Sequence, residues 1–208
     1  MSKNILITGG TGLLGKILTK ELQSQGHQVS ILSRNPKKVK SAKAFYWDVD
    51  KQEIDETCLN GIDTIVHLAG EGIADKKWTE KRKQEIIDSR VDSIQLLYHL
   101  IAKQETSVKS IVSASAVGFY GDREDELLTE ESPKGTGFLS DSCKFWEDAV
   151  EKGSELGLRI VKLRIGLLLT PKGGVLEPFK LMVKTFSAMK FGDGKQWFPW
   201  VYADDLFV

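Results

Sequence analysis

Cysteine is scarce, charge is balanced and no apolar run is long, and each shortage argues against a class of function. Two cysteines, Cys58 and Cys143, occur among 208 residues. They stand far apart and in no metal-ligand spacing, so no disulfide framework or thiolate metal site is expected. Reduced thiols in a reducing compartment, the cytoplasm, are expected instead. Lysine plus arginine and aspartate plus glutamate number 29 each, so no overall field draws the chain to nucleic acid or an anionic membrane. Lys37, Lys38, Lys40 and Lys43 cluster, which reads as solvated loop charge. No apolar run approaches the roughly 20 residues of a membrane span. The first apolar stretch runs straight into glycines, unlike a signal peptide. Internal repeats and low-complexity linkers are also missing. What is left, 41% hydrophobic and 28% charged residues, is the composition of an ordinary globular domain.

Glycine is present where it matters. Asn4-Ile5-Leu6-Ile7 is followed by Thr8-Gly9-Gly10-Thr11-Gly12-Leu13-Leu14-Gly15. An apolar strand thus feeds a glycine-rich turn that opens a helical pattern through Ile17, Leu18 and Leu22, stopped by Gly26. Glycines let a backbone approach a pyrophosphate, and the helix behind them presents free N–H groups and a positive dipole end. Strand and helix patterns then alternate. Strands are expected at Gln28–Ser33, Ala44–Trp47, Thr64–Leu68, Ser110–Ser113 and Arg159–Leu168, and helices at about 79–104 and 139–156. The expected fold is α/β, a doubly wound parallel sheet with helices on both faces, the Rossmann fold.

Dinucleotide folds that prefer NAD usually carry an acidic residue about 20 residues beyond the glycines, on the adenosine ribose. Here the second strand ends in Ser33-Arg34 with no carboxylate. A guanidinium suits a 2′-phosphate that an aspartate would repel, so NADP is favoured over NAD.

The later motifs are more specific. They are His67-Leu68-Ala69-Gly70-Glu71, Trp78-Thr79, Lys83, Ser89-Arg90-Val91 and Ser113-Ala114-Ser115-Ala116-Val117-Gly118-Phe119-Tyr120-Gly121. Leu128-Thr129-Glu130, Ser132-Pro133, Gly137-Phe138-Leu139, Trp146-Glu147, Leu163-Arg164-Ile165-Gly166, Gly173-Gly174, Gly192-Asp193-Gly194 and Trp200 with Asp204-Asp205-Leu206 follow. Together with the TGxxGxxG turn, they resemble the atypical extended short-chain dehydrogenases/reductases labelled the NAD-dependent epimerase/dehydratase family, over essentially the whole chain. The resemblance implies NADP binding through Gly9, Thr11, Gly12, Leu13, Leu14, Gly15, Ser33 and Arg34. It adds Leu68, Ala69 and Gly70 after the fourth strand, Glu85 and Arg90 on the long helix, and Leu168 after the sixth strand. Asp48 falls where relatives place a carboxylate on the adenine amino group. Glu85 and Arg90 are five apart, about 140° around a helix, and do not share a face. His67 reads as a satisfied strand histidine rather than a catalyst.

One further absence bears on catalysis. Such enzymes carry Tyr-x-x-x-Lys on the helix after the fifth strand, the tyrosine exchanging a proton with substrate and the lysine lowering its pKa. The four tyrosines, Tyr46, Tyr98, Tyr120 and Tyr202, are followed four residues later by Asp50, Ala102, Glu124 and Leu206. With Glu147 in register, Leu139 and Cys143 occupy the two places. Ser115 and Tyr120 remain as catalytic candidates at the C-terminal edge of the sheet; Lys144 is one residue out of register. Two functions stay open. One is an NADP-dependent oxidoreductase or nucleotide-sugar-epimerase-like protein acting on an unidentified small molecule, with room for a homodimer. The other is a non-catalytic NADP-binding regulatory protein, such as one associated with cell division.

The sequence stops inside the apolar pattern of Leu206-Phe207-Val208, after an expected strand and an Asp-capped helix start. Residues 1–208 are expected to hold the dinucleotide-binding domain, with 170–208 opening a substrate lobe that is incomplete.

Overall fold

The computed structural model describes residues 2–187 and 194–207. Along it run β1 (Asn4–Thr8), α1 (Leu13–Ser24), β2 (Gln28–Ser33), β3 (Lys43–Asp48), β4 (Glu53–Ile54) and β5 (Thr64–His67). They are followed by α2 (Glu80–Lys103), β6 (Ser110–Ala116), α3 (Phe138–Glu151), β7 (Arg159–Ile165), β8 (Leu167–Leu169), α4 (Leu176–Lys184) and β9 (Trp200–Tyr202). The first seven strands form one sheet in the order β4-β3-β2-β1-β5-β6-β7, parallel except for the β3–β4 pair. The chain leaves β1 in one direction to build β2 and β3, then returns to β1's other side for β5, β6 and β7. Strand order reverses between β1 and β5, where doubly wound folds open a crevice at the carboxyl ends of the strands.

Alternation along β1 assigns its side chains to the two faces. Leu6 joins Ile65, Ile94, Leu97, Ile111, Trp146 and Val150 in the large core under α2 and α3. Ile5 and Ile7 pack with Val29, Leu18 and Leu22 on the α1 side. That side is the thinner one. An apolar groove of about 350 Å³ lies there, lined by Leu14, Leu18, Val66, Leu163, Ile165 and Leu206 among others. Among the described residues, no helix is long and apolar enough to cross a membrane.

The expected sixth strand does not run unbroken. A side chain at Gly166 would put its Cβ 2.5 Å from the Pro199 carbonyl oxygen. The Leu167 amide donates to that same oxygen at 2.7 Å. The chain therefore splits into β7, in the main sheet, and β8, which pairs parallel with β9 in a separate ribbon. Strand β4 and helix α4 carry no clear local signal in the sequence, the first because two residues have no periodicity, the second because Pro171 and Gly173-Gly174 mask its start. Helix α3 ends at Glu151 and tightens into a 3₁₀ turn over Lys152–Leu156, closed by Gly157 at φ 74°. The helix start expected after Tyr202 is a 3₁₀ turn, Ala203–Phe207. Leu206 lines the apolar groove. Gly192, Asp193, Val208 and the Phe207 side chain lie outside the described residues.

Candidate functional site

The glycine turn sits at the switch point and is fixed by its neighbours. Thr8, buried at the end of β1, accepts hydrogen bonds on Oγ1 from the Leu68 and Ala69 amides at 3.1 and 3.0 Å. This ties the end of β1 to the segment leaving β5. Gly9 has φ 67°, and a Cβ there would stand 2.7 Å from the Leu68 carbonyl oxygen. A Cβ on Gly15 would stand 2.4 Å from the Gly9 carbonyl oxygen and 2.6 Å from Gly10 Cα. Only hydrogen fits at either place. Gly12 differs: it caps α1 without a side-chain hydrogen bond, and its Cβ would meet only the Gly9 carbonyl oxygen, at 3.2 Å. The first turn of α1 therefore offers its amides and its positive dipole end to an anion. This cradle fits the pyrophosphate of a dinucleotide.

A cavity of about 930 Å³ spreads from that turn, at the upper end of ordinary ligand pockets. Gly9, Thr11, Gly12, Ser33, Arg34, Asp48, Leu68, Ala69, Gly70 and Glu85 all line it. Ten of the proposed cofactor residues thus converge from five separate segments. Ser33 Oγ accepts from the Asn35 amide at 3.1 Å, which turns the chain so that Arg34 stands exposed at the rim. The Asp48 carboxylate lies 3.4 Å from Lys51 Nζ, an ion pair at the end of β3.

The other cofactor candidates lie beside the cavity, not on its wall. Gly15 packs beneath the turn, and Leu14 faces the apolar groove across the sheet. Leu13 and Leu168 meet at the loop of Gly173 and Gly174. Arg90 lies under Gly70, whose Cβ would touch its guanidinium carbon at 3.0 Å. From there Arg90 donates to the Ile86 and Glu71 carbonyls, with its guanidinium 5.0 Å from the Trp146 ring centroid. Arg82, in the first turn of α2, and Glu71 and Lys76, in the segment between β5 and α2, also line the cavity. Sequence reasoning did not mark them as site residues, although Glu71 stood in the quoted motif after the fourth strand.

Behind the cavity lies a buried polar cluster on His67. Ser93 Oγ donates to the Arg90 carbonyl, so it accepts from His67 Nε2 at 2.8 Å. Trp146 Nε1 lies 3.5 Å from Nδ1, and Ser113 Oγ 3.1 Å from the same atom. Both ring nitrogens thus have buried polar partners. His67 is the satisfied strand histidine that the sequence suggested. Burial, reinforced by the Arg90 charge, lowers its pKa to about 3. The unfolded chain therefore takes up this proton first as pH falls. Stability is full above about pH 6.5 and drains away towards pH 3, by about 1.4 kcal/mol per unit. Urea unfolding at pH 6.5 and pH 5 is expected to show a loss of about 2 kcal/mol from this group. A His67→Gln variant, less stable at neutral pH, is expected to lack that part of the slope.

Ser115 and Tyr120 are brought together, but by an ion pair and away from the cavity wall. Ser115 Oγ donates to Glu147 Oε1 at 2.6 Å. Arg164 holds the same carboxylate in a fork, Nε to Oε1 and Nη2 to Oε2, both at 2.9 Å. Arg164 Nη1 donates to Tyr120 Oη at 2.9 Å and to the Glu130 carbonyl at 3.1 Å. Its guanidinium also stacks 3.6 Å from the Phe119 ring centroid. Burial pushes the Glu147 carboxyl up, but the bonds from Arg164 and Ser115 reverse this and hold it below its ordinary value. The one hydrogen of Ser115 is spent on Glu147, so in this geometry it has none to offer a substrate oxygen. Leu139 and Cys143 lie side by side against Gly118, Leu139 partly exposed and Cys143 buried. Burial raises the Cys143 thiol pKa. Lys144 turns outward to Asp148.

Comparison with known proteins agrees with this geometry. The family model of the NAD dependent epimerase/dehydratase family matches residues 5–207. An epimerase family protein of Mycobacterium bovis is 32% identical over 202 residues, 97% of this chain and 65% of the relative. One of Bacillus subtilis is 38% identical over 205 residues, 97% of this chain and 67% of the relative. The chain thus spans about two thirds of the curated relatives it matches. Among solved structures, a nucleoside-diphosphate sugar epimerase from Corynebacterium glutamicum superposes with a TM-score of 0.84 at 41% identity, covering 100% of this chain and 42% of that one. A human epimerase family protein solved with NADPH gives a TM-score of 0.81 at 29% identity, over 98% of this chain and 67% of that one. With the Rossmann sheet, the glycine cradle and the match over nearly its whole length, the chain belongs to the NAD dependent epimerase/dehydratase family.

Proposed function

We propose that this chain binds NADP(H) in the cavity between β1 and β5 and serves an oxidoreductase or epimerase-like reaction on a small molecule. The observation that carries the reading is Arg34, exposed at the end of β2 with no carboxylate beside it in Ser33-Arg34-Asn35, lining the same cavity as the glycine turn. The amides of α1 would hold the pyrophosphate and Arg34 the 2′-phosphate. The human relative solved with NADPH supports the phosphorylated cofactor. A bound nicotinamide would supply a hydride donor or acceptor; the protein's part is to bind, orient and exclude water.

A second reading has its own observation. Leu139 and Cys143 replace the proton-transfer pair, and Ser115 and Tyr120 are engaged by Glu147 and Arg164. An NADP(H)-binding regulatory protein needs the cradle without the chemistry. Incubating the protein with NADPH and a panel of carbonyl compounds separates the two: tight binding with no turnover above background favours the regulatory reading.

The cofactor assignment has its own test. Arg34→Asp is expected to weaken NADPH binding and move the NADPH/NADH preference by about 10- to 100-fold towards NADH, the loss of one charge-assisted phosphate contact. A fluorescence titration with both cofactors checks it. Equal affinities before and after the substitution would refute the role of Arg34.

A further inference from the structure

The cavity wall also holds a cation that the dinucleotide reading does not use, Arg82. Arg82 lies in the first turn of α2, whose cap Thr79 accepts from its backbone amide. Its side chain is only 6% exposed. Nη1 donates to Glu85 Oε2 at 3.0 Å, and Nη2 donates to Glu71 Oε2 at 3.0 Å and to the Gly72 carbonyl at 2.9 Å. Nε is shielded from solvent and has no acceptor among the described residues. A buried N–H without an acceptor is costly, and native proteins seldom keep one without a use.

The geometry of the guanidinium says what would satisfy it. Nε and Nη2 share one edge, which an oxyanion fills with two parallel hydrogen bonds. Nη2 is shared between one Glu71 oxygen and the Gly72 carbonyl, while Nε has no acceptor, so the edge lacks its second hydrogen bond. Glu71 is 46% exposed, so water can take over its charge at little loss when it swings away. Arg82 itself is held by burial, by Glu85 and by the Gly72 carbonyl. Next to it, Arg90 is buried on carbonyl acceptors and the Trp146 ring, with no carboxylate within 4 Å among the described residues. Both cations support a negative group at this end of the cavity.

We propose that Arg82 is a second oxyanion site of this cavity, in which a phosphate or carboxylate takes the Nε–Nη2 edge and displaces Glu71. The oxyanion has two sources, a phosphate of the dinucleotide itself or an anionic group on the second ligand. Only the cofactor source rests on the dinucleotide reading.

The test uses the whole chain, as wild type, Arg82→Gln and Glu71→Gln. NADPH affinity is measured by titration, and inorganic phosphate is titrated calorimetrically into free and NADPH-saturated protein. Arg82→Gln is expected to weaken binding by about tenfold or more, the worth of one charge-assisted pair. Loss of NADPH affinity assigns the oxyanion to the cofactor; loss of phosphate binding to NADPH-saturated protein assigns it to the second ligand. Glu71→Gln, which removes the competing carboxylate, is expected to tighten the same step by about threefold or more. An Arg82 that merely straps the Glu71 loop to α2 would give no such gain. If Arg82→Gln fails to fold, the Glu71→Gln result decides. Unchanged binding in a folded Arg82→Gln, or no tightening in Glu71→Gln, overturns the proposal. A wild-type chain that fails to bind NADPH overturns the dinucleotide reading separately, and the phosphate titration of free protein still tests Arg82.

Discussion

Replacing Gly15 by alanine is expected to destabilise the fold and impair cofactor binding together, whereas replacing Gly12 is expected to weaken binding alone. At Gly15 the new Cβ meets backbone, the Gly9 carbonyl oxygen at 2.4 Å and Gly10 Cα at 2.6 Å, and neither atom can swing aside as a side chain can. The turn and the start of α1 must separate, at a cost of about 2–3 kcal/mol or more, typical of overpacking against a rigid neighbour. For a domain of this size, that lowers Tm by roughly 4–12 °C. At Gly12 the backbone is extended, φ −73° and ψ 178°, which any residue adopts. Its Cβ is tight only against one carbonyl oxygen at 3.2 Å and otherwise projects into the space an anion would use. Gly12→Ala is therefore expected to keep a Tm within a few degrees of wild type while NADPH affinity falls by about tenfold or more, the steric loss of a close backbone–phosphate approach. Thermal melts and cofactor titrations on the two variants check the contrast.

Removing the Glu147 carboxylate is expected to be strongly destabilising. Glu147→Gln keeps the shape but leaves Arg164 with its charge and without its fork, and Ser115 with a neutral acceptor. Breaking one partner of a buried pair costs about 3–5 kcal/mol, and Arg164 is 20% exposed, which favours the lower end, near 3. Its pH dependence has the same sign as that of His67 and starts lower. A carboxyl with a lowered pKa stabilises fully above its unfolded value, near 4.5, and loses that contribution as pH falls through the folded value. Wild-type acid unfolding should therefore steepen in two stages, from about pH 6.5 for His67 and below about pH 4.5 for Glu147. Glu147→Gln is expected to lose the lower stage and keep the upper. Urea titrations across pH 7 to 3.5 on both single variants measure this.

Much of the architecture is legible in the sequence because periodicity and glycine carry it. The apolar run of Ile5, Leu6 and Ile7 in β1, the buried stripe of Ile86, Ile94, Leu97 and Ile101 on α2, and the stop at Gly26 are local signals, and the structure keeps them. The divided sixth strand was not legible. Its break at Gly166 is imposed by Pro199, thirty-three residues on, a contact that no local pattern reports. The site shows the same split. Gly9, Gly12, Ser33, Arg34 and the Leu68–Gly70 segment reach one cavity because each ends a strand or opens a helix on the same edge of the sheet. Arg82 and Glu71 lie eleven residues apart, and they meet only because the loop after β5 folds back onto α2. Glu147 and Arg164 were each visible as motif members, yet their fork and its grip on Ser115 and Tyr120 arise from packing α3 on β6 and β7.

The most direct test of the central claim is a calorimetric titration of the unmodified chain with NADPH and with NADH, one cofactor against the other at the same salt. One NADPH per chain is expected, bound about tenfold or more tighter than NADH, because Arg34 meets a charge that NADH lacks. Equal affinity for the two, or no binding of either, would contradict it.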